Sequence, residues 1–238
     1  IKYKADLDGG YLQCLQNKIQ FVFRDQAKLD WLLSYKLRAK NQHLVVNPDE
    51  FIINYHAYAA SFINANPYTE IIPAGCGSDY TNYYLGNDKS KWASRVRNYK
   101  MLTYKNLYDN IDMEFFEEKF LLKYQFTVHQ GANPNKILIE YQGATDISIQ
   151  QSNLIIKTTV NQVTELAPVA FQIIDGEKVS VPCKFALQRN RVSFKFPEGY
   201  NKNYDLIIDP VLIFSTYTGS LADNWGFTAT YDEFGNTY

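Results

Sequence analysis

The chain has 238 residues and is 46% hydrophobic, enough to bury one large core or two modest ones, which excludes a disordered or fibrous protein. Lys+Arg 24 against Asp+Glu 25 leaves a formal net charge of -1, and no basic block is present to neutralise a run of phosphates, so nucleic acid is not expected as a partner. No stretch approaches the roughly 18 apolar residues that span a bilayer, and Ile1 opens no charged region followed by an apolar one, so any signal peptide is expected to have been removed.

Aromatic residues make up 16% of the chain; they favour pleated, half-buried surfaces and also line sugar-binding or partner-binding faces. Period-2 alternation with closely spaced turn residues predicts a mainly antiparallel all-β protein of the β-sandwich type, with helix limited to about 10 to 15%. Ile1 to Leu7 is joined by Asp8-Gly9-Gly10 to a hairpin of Gly10 to Gln16 and Ile19 to Arg24, with Ile19, Phe21 and Phe23 on one face and Gln20 and Arg24 on the other. The helical spacing of Leu29, Leu32, Leu33 and Leu37 predicts one amphipathic helix, Gln26 to Lys40, as a cover over a sheet. Short strands follow at His56 to Ile63 and Tyr83 to Leu85, broken by Asn66-Pro67 and a Gly75 to Asp79 loop, with a small helical turn over Ser90 to Val96.

Met113 to Phe116 and Leu122 to Val128 form a hairpin over Glu117-Glu118-Lys119, with Leu122, Tyr124, Phe126 and Val128 inward. Further inward stripes are read at Ile137, Ile139 and Tyr141; at Val169, Phe171 and Ile173; at Val179, Val181, Cys183, Phe185 and Leu187; and at Val192, Phe194 and Phe196. Everything before Asp209 is expected to make one compact all-β unit, or two abutting sandwiches meeting near Tyr99 to Asn110. Val211, Ile213 and Ser215 alternate with Leu212, Phe214 and Thr216 so that both faces are largely apolar, which predicts an integral, doubly buried strand over Leu206 to Thr216.

Candidate chemistry is sparse. Asp112, Glu114, Glu117 and Glu118 are a possible carboxylate group for glycoside hydrolysis, which needs carboxyls about 5 to 10 Å apart, but the last two fit a solvated hairpin tip better. Asp6, Asp8 and Gly9 resemble a calcium loop without its remaining ligands; a missed site would draw on Asp6, Asp8, Asp79, Asp88 and Asp112. His43, His56 and His129 are solitary, without zinc-ligand spacing, and Ser215 and Thr216 lack a nucleophile elbow. No metal or organic cofactor is expected. Trp31, Trp92 and Trp225, with Tyr83 and Tyr84, would stack on sugars if gathered on one face; otherwise they are packing residues. Cys14 and Cys183 sit in apolar strand patterns and Cys76 in a loop, with a single disulfide open to Cys76.

Two stretches carry a resemblance. Asp209-Pro210-Val211-Leu212-Ile213-Phe214-Ser215-Thr216-Tyr217, then Gly219, Asp223-Asn224-Trp225-Gly226 and Asp232-Glu233-Phe234-Gly235-Asn236-Thr237-Tyr238, resemble the entry into SBBP-type β-propeller repeats, so residues 210–238 are expected to be the start of a first blade. Ala5-Asp6-Leu7-Asp8-Gly9-Gly10, Asn82 to Asp88, Lys91-Trp92-Ala93, Tyr104 to Asp112, Leu122 to Phe126, Gly131-Ala132-Asn133-Pro134, Tyr141-Gln142-Gly143 and Ala167 to Ala170 resemble the N-terminal all-β domain that precedes such propellers in secreted proteins of gliding, Bacteroidota-type bacteria. The departure is Asn17-Lys18, where that family usually has Asn-Gly. The resemblance implies an adhesin-like secreted or cell-surface protein, often with a type IX sorting or gliding-associated module, and brings no catalytic residues. It implies a non-enzymatic structural and interaction module, residues 1–209, that caps and positions a propeller and has the downstream repeats as its partner. A carbohydrate-binding or carbohydrate-active domain, with surface glycans as partners, is the alternative.

Overall fold

Side chains that alternate between apolar and polar must alternate between core and water, and this period lays out most of the molecule. The computed structural model describes residues 2–7, 9–42, 51–84, 86–118, 121–210 and 212–215, without the side chains of 37–42, 117–118, 121 and 212–215. It is 59% strand and 10% helical, with one α-helix. In chain order the elements are β1 (Tyr3–Leu7), β2 (Gly10–Cys14), β3 (Lys18–Arg24), α1 (Gln26–Gln42), β4 (Tyr55–Phe62), β5 (Glu70–Tyr83), β6 (Ala93–Tyr108), β7 (Ile111–Glu118), β8 (Leu121–Val128), β9 (Ile139–Gln142), β10 (Asp146–Gln150), β11 (Asn153–Lys157), β12 (Gln162–Glu165), β13 (Val169–Ile174), β14 (Glu177–Val181), β15 (Lys184–Gln188), β16 (Arg191–Lys195), β17 (Leu206–Asp209) and β18 (Leu212–Ser215).

Every strand pairing is antiparallel. One seven-stranded sheet runs β1-β2-β3-β4-β9-β16-β15, a second runs β14-β13-β17-β8-β7-β6-β5, and a four-stranded sheet runs β10-β11-β12-β18. The two large sheets face each other. Phe62 of β4 meets Tyr104 of β6 with ring centroids 6.1 Å apart, and Phe126 of β8 meets Phe194 of β16 at 5.9 Å, both edge to face. Such pairs add about 0.5–1.5 kcal/mol each beyond their buried area. A single buried cluster extends from Leu12 to Ile208. Tyr99 to Asn110, where a division was allowed, lies in β6 and its turn into β7, whose Tyr104, Leu107 and Tyr108 belong to that cluster.

Glycine fixes the first hairpin. Leu7 pairs with Gly10 across the turn, and Gly9 has φ 71, a conformation most side chains resist. A Cβ on Gly10 would lie 2.1 Å from the Val22 carbonyl oxygen, so β2 and β3 could not approach as they do with any larger residue there. On β3, Ile19, Phe21 and Phe23 are buried as expected.

Four local expectations are corrected. The Gly75 to Asp79 segment is no loop: it lies within β5, which is continuous through it because Gly75 takes φ 66 and the pairing with β6 shifts register between Cys76 and Tyr80. The helical turn is shorter and earlier than Ser90 to Val96, a 3-10 turn at Lys89–Lys91 capped by the Asp88 carboxylate, with β6 starting at Ala93. On β13 the phase is inverted. Val169 and Ile173 are 53% and 48% exposed, while Ala170 and Gln172 are buried. Gln172 prevails because its amide donates to the carbonyls of Asn201 and Tyr204 and accepts from the Asn201 N–H, which ties the loop before β17 to the sheet. On β14, Val181 is buried but Val179 is 42% exposed.

The helix forms where expected, opened by the Asp25 carboxylate accepting from the Lys28 N–H at 2.9 Å. As a cover it is thin. Leu32 is buried, yet Trp31 and Leu33 are exposed, since consecutive residues point about 100° apart and cannot share one face. The expected strand over Leu206 to Thr216 is two strands. β17 lies between β13 and β8, and after Pro210 the chain changes sheets so that β18 pairs with β12, Ile213 opposite Thr164. Thr216 and everything after it lie outside the described residues.

Candidate functional site

The expected carboxylates meet an unexpected partner. Asp112 and Glu114 project on one face of β7, opposite Thr127 and Gln125 of β8. Glu114 accepts from the Gln125 amide at 2.6 Å. Asp112, 6% exposed, accepts from Lys105 Nζ at 2.5 Å, from the Asn106 N–H at 2.7 Å and faces His129 Nε2 at 3.0 Å. The other ring nitrogen of His129 faces Asp205 at 3.0 Å, and Asp205 also accepts from the Gln130 N–H. An imidazole between two carboxylates binds best as imidazolium. The hydrogen bond to Asp112 outweighs partial burial and raises the His129 pKa, with Asp205 adding to it. Burial works against the Asp112 carboxylate, but the bonds from His129, Lys105 and Asn106 hold its pKa below the usual value. His129 is thus a bridge between the β7 and β17 ends, more than the surface or strand-end residue expected of a solitary histidine. Glu117 and Glu118 end β7, and their side chains are outside the description.

This network backs a polar cleft of about 740 Å³. Asn106 and Gln130, whose backbones are gripped by Asp112 and Asp205, form part of its wall together with Asn66, Asn110 and Asn133. Asn110 donates to the Gln130 carbonyl, and Lys136 pairs with Asp109 at 2.9 Å. The cleft offers side-chain amide donors and acceptors from Asn66, Asn106, Asn110, Gln130 and Asn133.

The aromatic candidates separate. Trp31 lies on α1, stacked on Tyr35 and covered by Lys28 Nζ at 4.3 Å. Trp92 lies at the tip of the β5–β6 hairpin, where its indole N–H donates to the Gly86 carbonyl and its ring packs 5.3 Å from Tyr84. Tyr83 and Tyr84 are 39% and 56% exposed beside it. Trp225 lies outside the described residues.

The remaining candidates are dispersed. Asp6 pairs with Lys4 at 2.8 Å, Asp79 accepts from Ser78, and Asp88 accepts from the N–H and hydroxyl of Ser90. Among the described residues no three His, Cys, Asp or Glu side chains come together as a metal site; Asp8 and His43 are outside them. His56 is held by Thr159 and the Gly143 carbonyl. Ser215 ends β18. Cys14, Cys76 and Cys183 are all free thiols; Cys14 is buried and pushed by burial to about 11, and Cys76 is exposed on β5.

Sequence reasoning passed over Glu165. Its carboxyl is 3% exposed and accepts from the hydroxyls of Tyr124 and Tyr141, both at 2.7 Å. Burial raises its pKa against the pull of those two bonds. The signal was present: Val163 and Glu165 occupy the same apolar phase of β12.

Fold and sites together define an antiparallel β-sandwich module with a polar cleft and a projecting hairpin. No curated protein and no solved structure matches it. The chain belongs to the family DUF7948, described as a domain of unknown function, which matches residues 1–211.

Proposed function

We propose that the chain is a non-enzymatic structural and interaction module of a secreted or cell-surface protein, which anchors and positions a β-propeller beginning in residues 210–238. The observation that carries this reading is the sheet change at Pro210: β17 is held between two neighbours in the core, and β18 is then tied to β12. The chain therefore passes into the propeller-like sequence from a braced strand. Among the described residues no helix is long and apolar enough to cross a membrane.

Hydrogen exchange on the intact chain tests the anchoring. The amides of Leu212–Ser215 should be as protected as those of β12, and Ile213→Pro, which removes a ladder donor, should free them while β17 stays protected. Unprotected β18 amides in the wild-type chain would sink the reading.

A carbohydrate-binding role is the second reading, supported by the exposed Tyr84–Trp92 pair and the amide-lined cleft. On a glycan array, binding that disappears with Trp92→Ala would favour it. A blank array would leave the anchoring module alone.

A further inference from the structure

β1 and β5 are end strands of the two large sheets. Where they diverge, the sandwich is not closed: a groove of about 1,140 Å³ opens between β1 and the β5–β6 hairpin, a little larger than the ~300–1,000 Å³ of small-molecule sites. Its floor includes Leu7, Leu12, Leu102 and Leu122; Leu12 is buried in the core and the other three pack against it half-buried. Tyr3 and Tyr99 meet edge to face across it at 6.1 Å. Its rim is cationic. Lys2, Lys4, Arg97 and Lys100 line it against a single carboxylate, Asp6, which Lys4 neutralises. Lys2, Arg97 and Lys100 have no carboxylate partner among the described residues. Gly75 matters here: a Cβ on it would fall 2.9 Å from the Lys100 Cβ, so the glycine leaves Lys100 its place beside the groove.

We infer that this groove binds a long-chain carboxylate, a monomeric amphiphile whose acyl chain lies on the leucine floor between the sheets and whose anionic head meets the lysines and arginine at the rim. Three features select this occupant. A floor of leucines together with Phe115 and Phe116 offers a sugar few hydrogen-bonding groups and an acyl chain apolar contact. The excess of cations selects an anionic head over a neutral or cationic one. The concave shape between two sheet edges, with the buried Leu12 at its base, suits a single chain better than a flat membrane surface.

Calorimetric titration of the intact chain with laurate below its micelle concentration should give saturable one-site binding, with dodecyltrimethylammonium weaker by about tenfold or more. The double variant Lys2→Glu, Lys100→Glu changes exposed side chains and should keep its melting temperature while laurate affinity falls about tenfold. Leu7→Gln should weaken both amphiphiles alike; if it fails to fold, the charge variant still decides. Equal binding of the two amphiphiles, no saturable laurate binding, or unchanged affinity in the charge variant would each overturn the inference. So would co-sedimentation with phosphatidylglycerol vesicles that the charge variant abolishes in the absence of monomer binding, since that places the ligand in a membrane surface.

Discussion

Removing residues from Asp205 onward is expected to abolish cooperative folding, whereas removing Ser220 to Tyr238 should leave the melting temperature within about 2 °C. The longer deletion takes out β17, which lies in the interior of its sheet between β13 and β8. Leu206 and Ile208 are fully buried, and each such side chain contributes about 1.5–3 kcal/mol by burial alone, with a cavity cost in addition. The same deletion leaves facing edges of β8 and β13 unpaired, removes Asp205 from His129 and Gln130, and cuts the chain directly after the loop whose carbonyls satisfy the buried Gln172 amide, taking the Asp205 carbonyl with it. Against a typical total stability of about 5–15 kcal/mol, these losses are not survivable. Thermal melting followed by near-ultraviolet circular dichroism reads the outcome. Two truncations that melt alike would mean that β17 adds nothing to the domain, and the boundary at Asp209 would be wrong.

The second large effect lies at Glu165. Its folded-state pKa is raised, so the folded protein holds a proton that the unfolded chain, with a carboxyl near ~4.3, has released. The stability linked to that proton is therefore fully present below the unfolded value and is lost as pH rises through the folded one. Glu165→Gln keeps an acceptor for the tyrosines and cannot ionise. Its stability relative to wild type should rise as pH climbs above the unfolded carboxyl value and level off once the raised folded value is passed, as read by urea unfolding. Glu165→Leu should be destabilised throughout, because the hydroxyls of Tyr124 and Tyr141 lose their acceptor at a cost of about 1–3 kcal/mol each. The neighbouring Tyr58 hydroxyl, buried and without a hydrogen-bond partner among the described residues, adds no compensating bond. A difference between Gln and wild type that is constant across pH would show that the carboxyl titrates normally.

The parts of the fold that could be read in advance are those where one local rule decides. Ile19, Phe21 and Phe23, or Tyr124, Phe126 and Val128, alternate without conflict, and their strands lie where alternation puts them. Reading failed where a distant partner outweighs the local pattern. On β13 the valine and isoleucine stripe loses to Gln172 because the polar partners that justify burying an amide come from residues 201 and 204. Through Gly75 to Asp79 a bulge lets loop-type residues remain in a strand. Strands β10 to β12 fall where no inward stripe was read, and their sheet is completed by β18 from the far end of the described chain. The site shows the same limit: Asp112 was noticed for its acidic neighbours, but Lys105, His129 and Asp205 join it only through the turns that bring β6, β8 and the start of β17 together.

The position of β17 also sets an order in time. A chain that emerges from its N-terminus presents β8 and β13 long before the strand that belongs between them, so Val128 waits for Leu206 and Ala170 for Ile208. Until then the second large sheet is split, with two unpaired inner edges open to other chains. Local hairpins such as β2–β3, β7–β8 and β15–β16 can zip up at once, whereas closure of the sheet is a late, non-local event of the kind that slows folding. This late-made strand thus acts as the keystone of its sheet, and the sheet spends its most vulnerable interval just before synthesis reaches it.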